Sequence, residues 1–194
     1  MAPAVPAPKS DRYWVVPAVR AFVALVLAAV ITFTRDTHTA EFGLIVFGAF
    51  AVLDGLVVAG LTAAFAPRGV TRILFIVQGA IGVIAGVLAL ALMSSGLGLF
   101  LYLVTVWGAL TGCLELYSAL RNRGKDPAAR DWLATGALTA LLALAFVFIP
   151  ADAVLAIGLL GAWAVVVGVF QAIGAASLRT ASRARTADQG ASGA

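Results

Sequence analysis

Hydrophobic residues follow one another in long runs along this chain, and short polar segments separate the runs. A helix needs about 20 residues to cross a hydrocarbon core of about 30 Å. We predict six such helices, over residues 17–34, 42–65, 73–93, 97–120, 132–149 and 153–178. The stretch 73–114 contains no charge and would form a helix of about 63 Å, roughly two bilayers, so we expect a turn at 94–96.

The composition assigns these runs to a membrane. Hydrophobic residues make up 62% of the chain and charged residues 11%, whereas soluble domains carry about 25% charged residues. A soluble fold of this size could not bury so much apolar surface. The predicted fold class is therefore all-α, a six-helix transmembrane bundle whose main partner is the lipid bilayer.

The positions of the lysines and arginines predict the orientation. In a six-span chain twelve of the thirteen fall on one side, Arg20 among them, and only Arg35 falls on the other. Basic residues mark the cytoplasmic side, and Arg20 is long enough to reach the lipid headgroups. We expect a cytoplasmic tail at 1–16, a membrane domain at 17–178 and a disordered cytoplasmic tail at 179–194. The charges form no basic face, so no nucleic-acid partner is predicted.

The even-numbered helices repeat one pattern with a period of 56–57 residues. An aromatic residue stands five positions before a glycine in each copy, and a small residue stands four positions before the same glycine. Such small-residue pairs let helix backbones approach closely in lipid. The aromatic residues are Phe50, Trp107 and Trp163, and the packing residues are Ala51, Gly55, Gly108, Gly112, Ala164 and Gly168.

This spacing predicts three parallel copies of a two-helix hairpin, at about 17–65, 73–120 and 132–178. Two helices per copy preserve the orientation of each copy in the membrane. The inverted repeats of many transporters need an odd number of spans per copy, so this spacing favours transport less.

Several segments together resemble a known family. They are the three glycine-rich hairpins, residues 107–116, the arginine-rich end at 121–123, and the Phe-Ile-Pro sequence at 148–150 before the last turn. Over about residues 20–180 the chain is similar to the HdeD-type acid-resistance membrane proteins, although its first two hairpin turns lack proline. The resemblance implies a six-helix bacterial inner-membrane protein that is associated with acid stress.

Asp54 is the most informative polar residue, because it lies near the middle of its helix. A charge at that depth costs at least about 2.5–3.5 kcal/mol. We expect Asp54 either to be protonated or to have a polar partner on another helix. It is therefore a candidate proton carrier or ligand-binding group, and the alternative is a structural hydrogen bond.

Glu115 lies about five residues inside the cytoplasmic end of its helix. It either reaches the membrane interface or forms an ion pair with Arg121 or Arg123. Gln78 and Gln171 lie near the same side of the membrane. If both contact Glu115, the three side chains form a polar pocket that opens to the cytoplasm.

The outer loop offers a candidate acid sensor made of Asp36, His38 and Glu41, because histidine titrates near pH 6.5. Its alternative is an ordinary solvated loop. The single cysteine, Cys113, excludes an internal disulfide framework, and no metal site or cofactor is predicted. No phosphate-binding loop and no Ser/His/Asp set is present, so no catalytic residue is predicted.

Three functions remain open from the sequence. The first is a non-enzymatic protein that supports acid or envelope stress tolerance by binding lipid, a second copy or another membrane protein. The second is a small channel or proton-linked transporter that uses Asp54. The third is a membrane-embedded enzyme on a lipid substrate, with Asp54 and Glu115 as general acid and base.

Overall fold

The computed structural model describes residues 13–66, 68–126 and 128–192; Lys9, Arg12 and most of the predicted N-terminal tail lie outside the described residues. Its six helices are α1 (Val15–Phe33), α2 (Ala40–Phe65), α3 (Val70–Ala91), α4 (Leu97–Arg121), α5 (Ala129–Phe148) and α6 (Ala153–Ser192). All six are long and apolar enough to cross a membrane. The predicted all-α, six-helix transmembrane fold class is confirmed.

The helix ends follow from local chemistry. The expected turn after α3 is a 3₁₀ turn at Met93–Ser95, and Gly96 follows it with φ of 84°, a backbone conformation that glycine adopts without strain. Pro150 forces the preceding residue out of helical geometry, so α5 ends there. Helix α6 continues to Ser192, where we expected disorder from residue 179. The alanine-rich sequence can extend a helix that is already nucleated.

We name the two ends of the bundle by what they carry. The tail face holds the start of α1 and the ends of α2 and α4, and the turn face holds the short connections 34–39, 92–96 and 149–152. Between the faces, large apolar side chains such as Phe22, Phe33 and Phe148 point outward and are mostly exposed. Lipid acyl chains can contact this apolar surface without the free-energy cost that contact with water would carry.

The closest helix pairs are α2 with α3, α4 with α5, and α6 with α1. A Cβ atom added at Gly55 would lie 2.6 Å from the carbonyl oxygen of Gly79, and one at Gly112 would lie 2.7 Å from the backbone nitrogen of Ala140. One at Gly168 would lie 2.8 Å from Leu25. The small faces of the even helices therefore pack on α3, α5 and α1, and the pair α6–α1 closes the bundle into a ring.

These tight pairs cross between the predicted hairpin copies. The pairs within a copy, such as α1 with α2, make looser contacts. The glycines explain the difference, because they lie on the side of each even helix that faces the next odd helix. The repeat in the sequence has the predicted period. The closest packing, however, joins the second helix of one copy to the first helix of the next copy, instead of joining the two helices of one copy.

Aromatic side chains of the even helices meet at the centre of the ring. Phe50, Trp107 and Trp163 are buried and contact one another edge to face, with ring centroids 5.5–5.8 Å apart. We call these three residues the aromatic layer. Each even helix adds two further buried positions, four and eight residues towards the tail face. Those positions are occupied by Asp54, Thr111 and Val167, and then by Val58, Glu115 and Gln171.

Substitutions at two glycines of α2 test the close packing. Gly55→Ala places a methyl group against the α3 backbone, and overpacking of this kind costs about 1–3 kcal/mol. Gly60→Ala meets open space and removes a flexible glycine from a helix, so we expect unchanged or slightly higher stability. Thermal unfolding of both variants in one detergent measures the difference, and equal midpoints would contradict the packing described here.

Candidate functional site

Three ionisable side chains from three helices meet in the interior of the bundle. Arg20 lies five residues, about 7.5 Å, inside α1, and Glu115 lies six residues, about 9 Å, from the end of α4. Asp54 lies eleven residues from the end of α2. Asp54 is 7% exposed and Glu115 is 2% exposed. We call Arg20, Asp54 and Glu115 the ion cluster.

The guanidinium group of Arg20 bridges the two carboxyl groups. Its Nε donates to Asp54 Oδ1 at 3.0 Å, and its Nη1 donates to Glu115 Oε1 at 2.7 Å. A longer contact of 3.5 Å joins Nη2 to Asp54 Oδ2. The planar fork of arginine can engage two carboxylates at once, which the single ammonium group of lysine does less well.

Gln78 of α3 adds a fourth helix to this arrangement. Its amide nitrogen donates to Glu115 Oε1 at 2.8 Å, the same oxygen that accepts from Arg20. The amide oxygen of Gln78 is buried and has no hydrogen-bond partner. Helices α1 to α4 are therefore joined by one polar network.

Two expectations about this network are wrong. Arg20 does not extend to the headgroups, because both carboxyl groups hold it inside the bundle. Glu115 is buried and pairs with Arg20 and Gln78. No ion pair joins it to Arg121 or Arg123 among the described residues, and Arg121 donates to the hydroxyl of Tyr117. Asp54 has the polar partner on another helix that its depth requires.

A small cavity lies on the tail-face side of Arg20, with a volume of about 30 Å³. Its polar lining includes Arg20 itself, Asp131, Thr135 and Gln171, and also Tyr13, Thr62 and Trp132. Gln171 is 5% exposed, and its amide oxygen has no partner. No hydrogen bond joins it to Glu115 in the described part of the chain, so the expected three-residue pocket is instead a Gln78–Glu115 contact beside a cavity wall formed by Gln171.

Aromatic residues surround the cavity towards the tail face. The side chain of Tyr13 forms a hydrogen bond with Trp132, whose ring contacts Phe75 at a centroid distance of 5.0 Å. Burial, with the nearby charge of Asp126, raises the pKa of the Tyr13 phenol. Tyr13 is therefore a neutral group throughout the physiological pH range.

The candidate acid sensor lies on the turn face, away from the ion cluster. His38 Nε2 lies 3.0 Å from the carbonyl oxygen of Ile31, and its ring stacks on Phe42. Asp36 and Glu41 are exposed. No ion pair joins His38 to either acid among the described residues, so the three side chains do not form one site.

Three of the residues at this site were not assigned to a functional site from the sequence. They are Arg20, Asp131 and Tyr13. Arg20 was treated as an orientation charge because it lies near a helix end. A stronger signal was available, since Arg20, Asp54 and Glu115 are isolated charges of opposite sign inside three apolar runs. Charges in such positions pair with each other in membrane proteins.

Fold and site together define a multi-pass helical membrane protein with a charged centre. Residues 77–148 match the profile of a family described as a short repeat of unknown function (DUF308). The matched segment covers most of α3 and all of α4 and α5, and it includes Gln78 and Glu115. Comparisons with curated proteins and with solved structures gave no match.

No group of three or more His, Cys, Asp or Glu side chains in the described part of the chain could hold a metal ion. The ion cluster has two carboxyl groups, and the arginine between them repels cations. The contacts seen at the site are hydrogen bonds and ion pairs.

Removing Arg20 tests the energetic role of the cluster. Arg20→Gln leaves the two buried carboxyl groups without their cation, and breaking a buried pair in this way costs about 3–5 kcal/mol. Replacing both carboxyl groups as well, with Asp54→Asn and Glu115→Gln, should recover part of that loss. Chemical unfolding in detergent measures these differences. Arg68→Gln, an exposed arginine on the tail face, is the control and should unfold like the wild type.

Proposed function

We propose that this chain is a non-enzymatic integral membrane protein of the HdeD-like kind, which supports tolerance of acid or envelope stress. The resemblance over residues 20–180 supports the stress role, and so does the match to DUF308, a family associated with HdeD. The observation that carries the non-enzymatic part is that Arg20 engages both interior carboxyl groups. Neither group is free to act as a general base on a lipid.

The cellular setting belongs to the same proposal. The basic residues gather at the tail face, which supports a bacterial inner-membrane location with both chain ends in the cytoplasm. Lipid, a second copy or another membrane protein would then bind the outer surface of the ring, because α3, α5 and α1 of the same chain already cover the glycine faces of the even helices.

Acid challenge of a deletion strain of the native bacterium tests this function. Loss of the gene should lower the fraction of cells that survive acid shock, and the wild-type gene should restore it. Arg20→Gln should restore less, because the variant bundle is less stable, whereas Arg68→Gln should restore fully. Equal survival of deletion and wild-type strains under acid and under envelope-damaging conditions would refute the stress role.

Proton-linked transport is a second candidate, and the geometry of Arg20 favours it. One guanidinium group holds carboxyl groups from two different helices, α2 and α4. A proton that neutralises one carboxyl group weakens its ion pair and loosens that helix from α1. Binding of a proton could thereby bias the arrangement of helices, which is the coupling that a proton-driven transporter needs.

Measurements of proton flux across vesicle membranes distinguish proton-linked transport from the non-enzymatic stress role. The full chain in lipid vesicles, loaded with a pH-sensitive dye, should pass protons down an imposed pH gradient faster than protein-free vesicles. Asp54→Asn should remove the excess flux, because one of the two exchanging carboxyl groups is gone, while Asp152→Asn on the turn face should keep it. Wild-type flux equal to that of protein-free vesicles would exclude a proton channel or uniporter.

A further inference from the structure

The charges of the ion cluster do not balance. Arginine remains protonated in proteins, so Arg20 supplies one positive charge to the two carboxyl groups of Asp54 and Glu115. Helices α3, α5 and α6 also face this region, and none of their described residues adds a positive charge to it. The groups they contribute are Gln78 from α3, Asp131 from α5 and Gln171 from α6, with the neutral phenol of Tyr13 before α1.

A surplus negative charge inside a membrane bundle is unfavourable, and a buried group commonly becomes neutral instead of remaining charged and unpaired. The hydrogen-bond inventory points the same way. The amide oxygen of Gln78, whose amide nitrogen contacts Glu115, is a buried acceptor without a donor. A protonated carboxyl group would both cancel the surplus charge and offer this oxygen a donor.

We propose that Asp54 and Glu115 together hold one bound proton at neutral pH, so that the ion cluster comprises Arg20, one carboxylate and one carboxylic acid. A hydronium ion of the surrounding water gives up the proton and is left as H₂O, and the proton forms an O–H bond to a carboxylate oxygen. Because the same guanidinium group contacts both carboxyl groups, the proton belongs to the pair and can reside on either member. This occupancy does not depend on the proposed stress role.

Gln78 suits a site that exists in two protonation states. Its amide nitrogen now donates to Glu115 Oε1, as an ionised carboxylate requires. Rotation of the amide group by half a turn would present the unpartnered oxygen as an acceptor for a protonated Glu115. One side chain can therefore satisfy Glu115 with or without the proton.

In the described part of the chain, the cavity beside Arg20 gives the proton a route from the tail face. The cavity of about 30 Å³ lies between Arg20 and the tail face, and it has room for about two water molecules. Asp131 and Thr135 line it and can pass a proton through hydrogen bonds to such waters. Towards the turn face, the aromatic layer closes the centre of the ring. Loading of the site thus occurs from the tail face.

Infrared spectroscopy of the full chain in lipid nanodiscs at neutral pH tests the occupancy. The carbonyl stretch of protonated carboxyl groups is separate from that of carboxylates, and its intensity counts the protonated groups. Asp54→Asn and Glu115→Gln should each lower the band by one carboxyl group, because the remaining carboxylate is then neutralised by Arg20. Arg20→Gln should raise the band by one, because both acids lose their cation.

Other charge states give different results. If both carboxyl groups are ionised in the wild type, neither single variant changes the band and the proposal fails. If only one variant lowers the band, the proton belongs to that residue alone and the shared site fails. Asp152→Asn, on the turn face, is the matched control and should leave the band unchanged. The two single variants preserve side-chain shape, so the test holds even if Arg20→Gln does not fold.

The route has its own test in the rate of hydrogen–deuterium exchange at the band. Gln171→Met keeps the length of the side chain but removes a polar wall of the cavity, so we expect slower exchange after transfer to heavy water. Leu133→Met, an exposed position on α5, is the control. An unchanged rate in Gln171→Met would overturn entry through this cavity without affecting the charge count.

Discussion

An arginine inside a lipid-embedded bundle is stable only where carboxyl groups meet it, and this requirement organises the structure. Arg20 reaches inward from α1 because Asp54 and Glu115 are there to accept its hydrogen bonds. Gln78 then extends the network to α3. Four consecutive helices are thereby held in one register along the membrane normal. Apolar contacts alone discriminate poorly between registers, since lipid is as apolar as the side chains.

A repeated scaffold surrounds this network, and the polar chemistry lies where the repeat is broken. The close glycine contacts and the aromatic layer recur in all three even helices. Below the aromatic layer the equivalent positions differ, with Asp54 opposite Thr111 and Val167, and Glu115 opposite Val58 and Gln171. Threefold packing gives a rigid ring, and the asymmetric substitutions give it a single charged centre.

The sequence was sufficient for the architecture but not for the partners of its charges. Span number and helix type follow from apolar run lengths, and the aromatic alignment indicated which residues share a level. Two features of the packing depend on which helices become neighbours, and no local sequence pattern shows which helices those are. One is that Gly55, Gly112 and Gly168 face the next odd helix. The other is that Glu115 pairs with a residue 95 positions earlier in the chain instead of with the arginines that follow it.

The contact of α6 with α1 has a consequence for biogenesis. Helix α1 finds its closest neighbour, α6, only after the four helices between them have been made. Until then Arg20 must remain in the bilayer or at its surface with Asp54 as its first available partner, because Glu115 is synthesised two helices later. The close pairs α2–α3 and α4–α5 can form earlier, so α1 is the helix that waits longest for its neighbour. A chain that lacked α6 would leave α1 without its closest neighbour and the ring open.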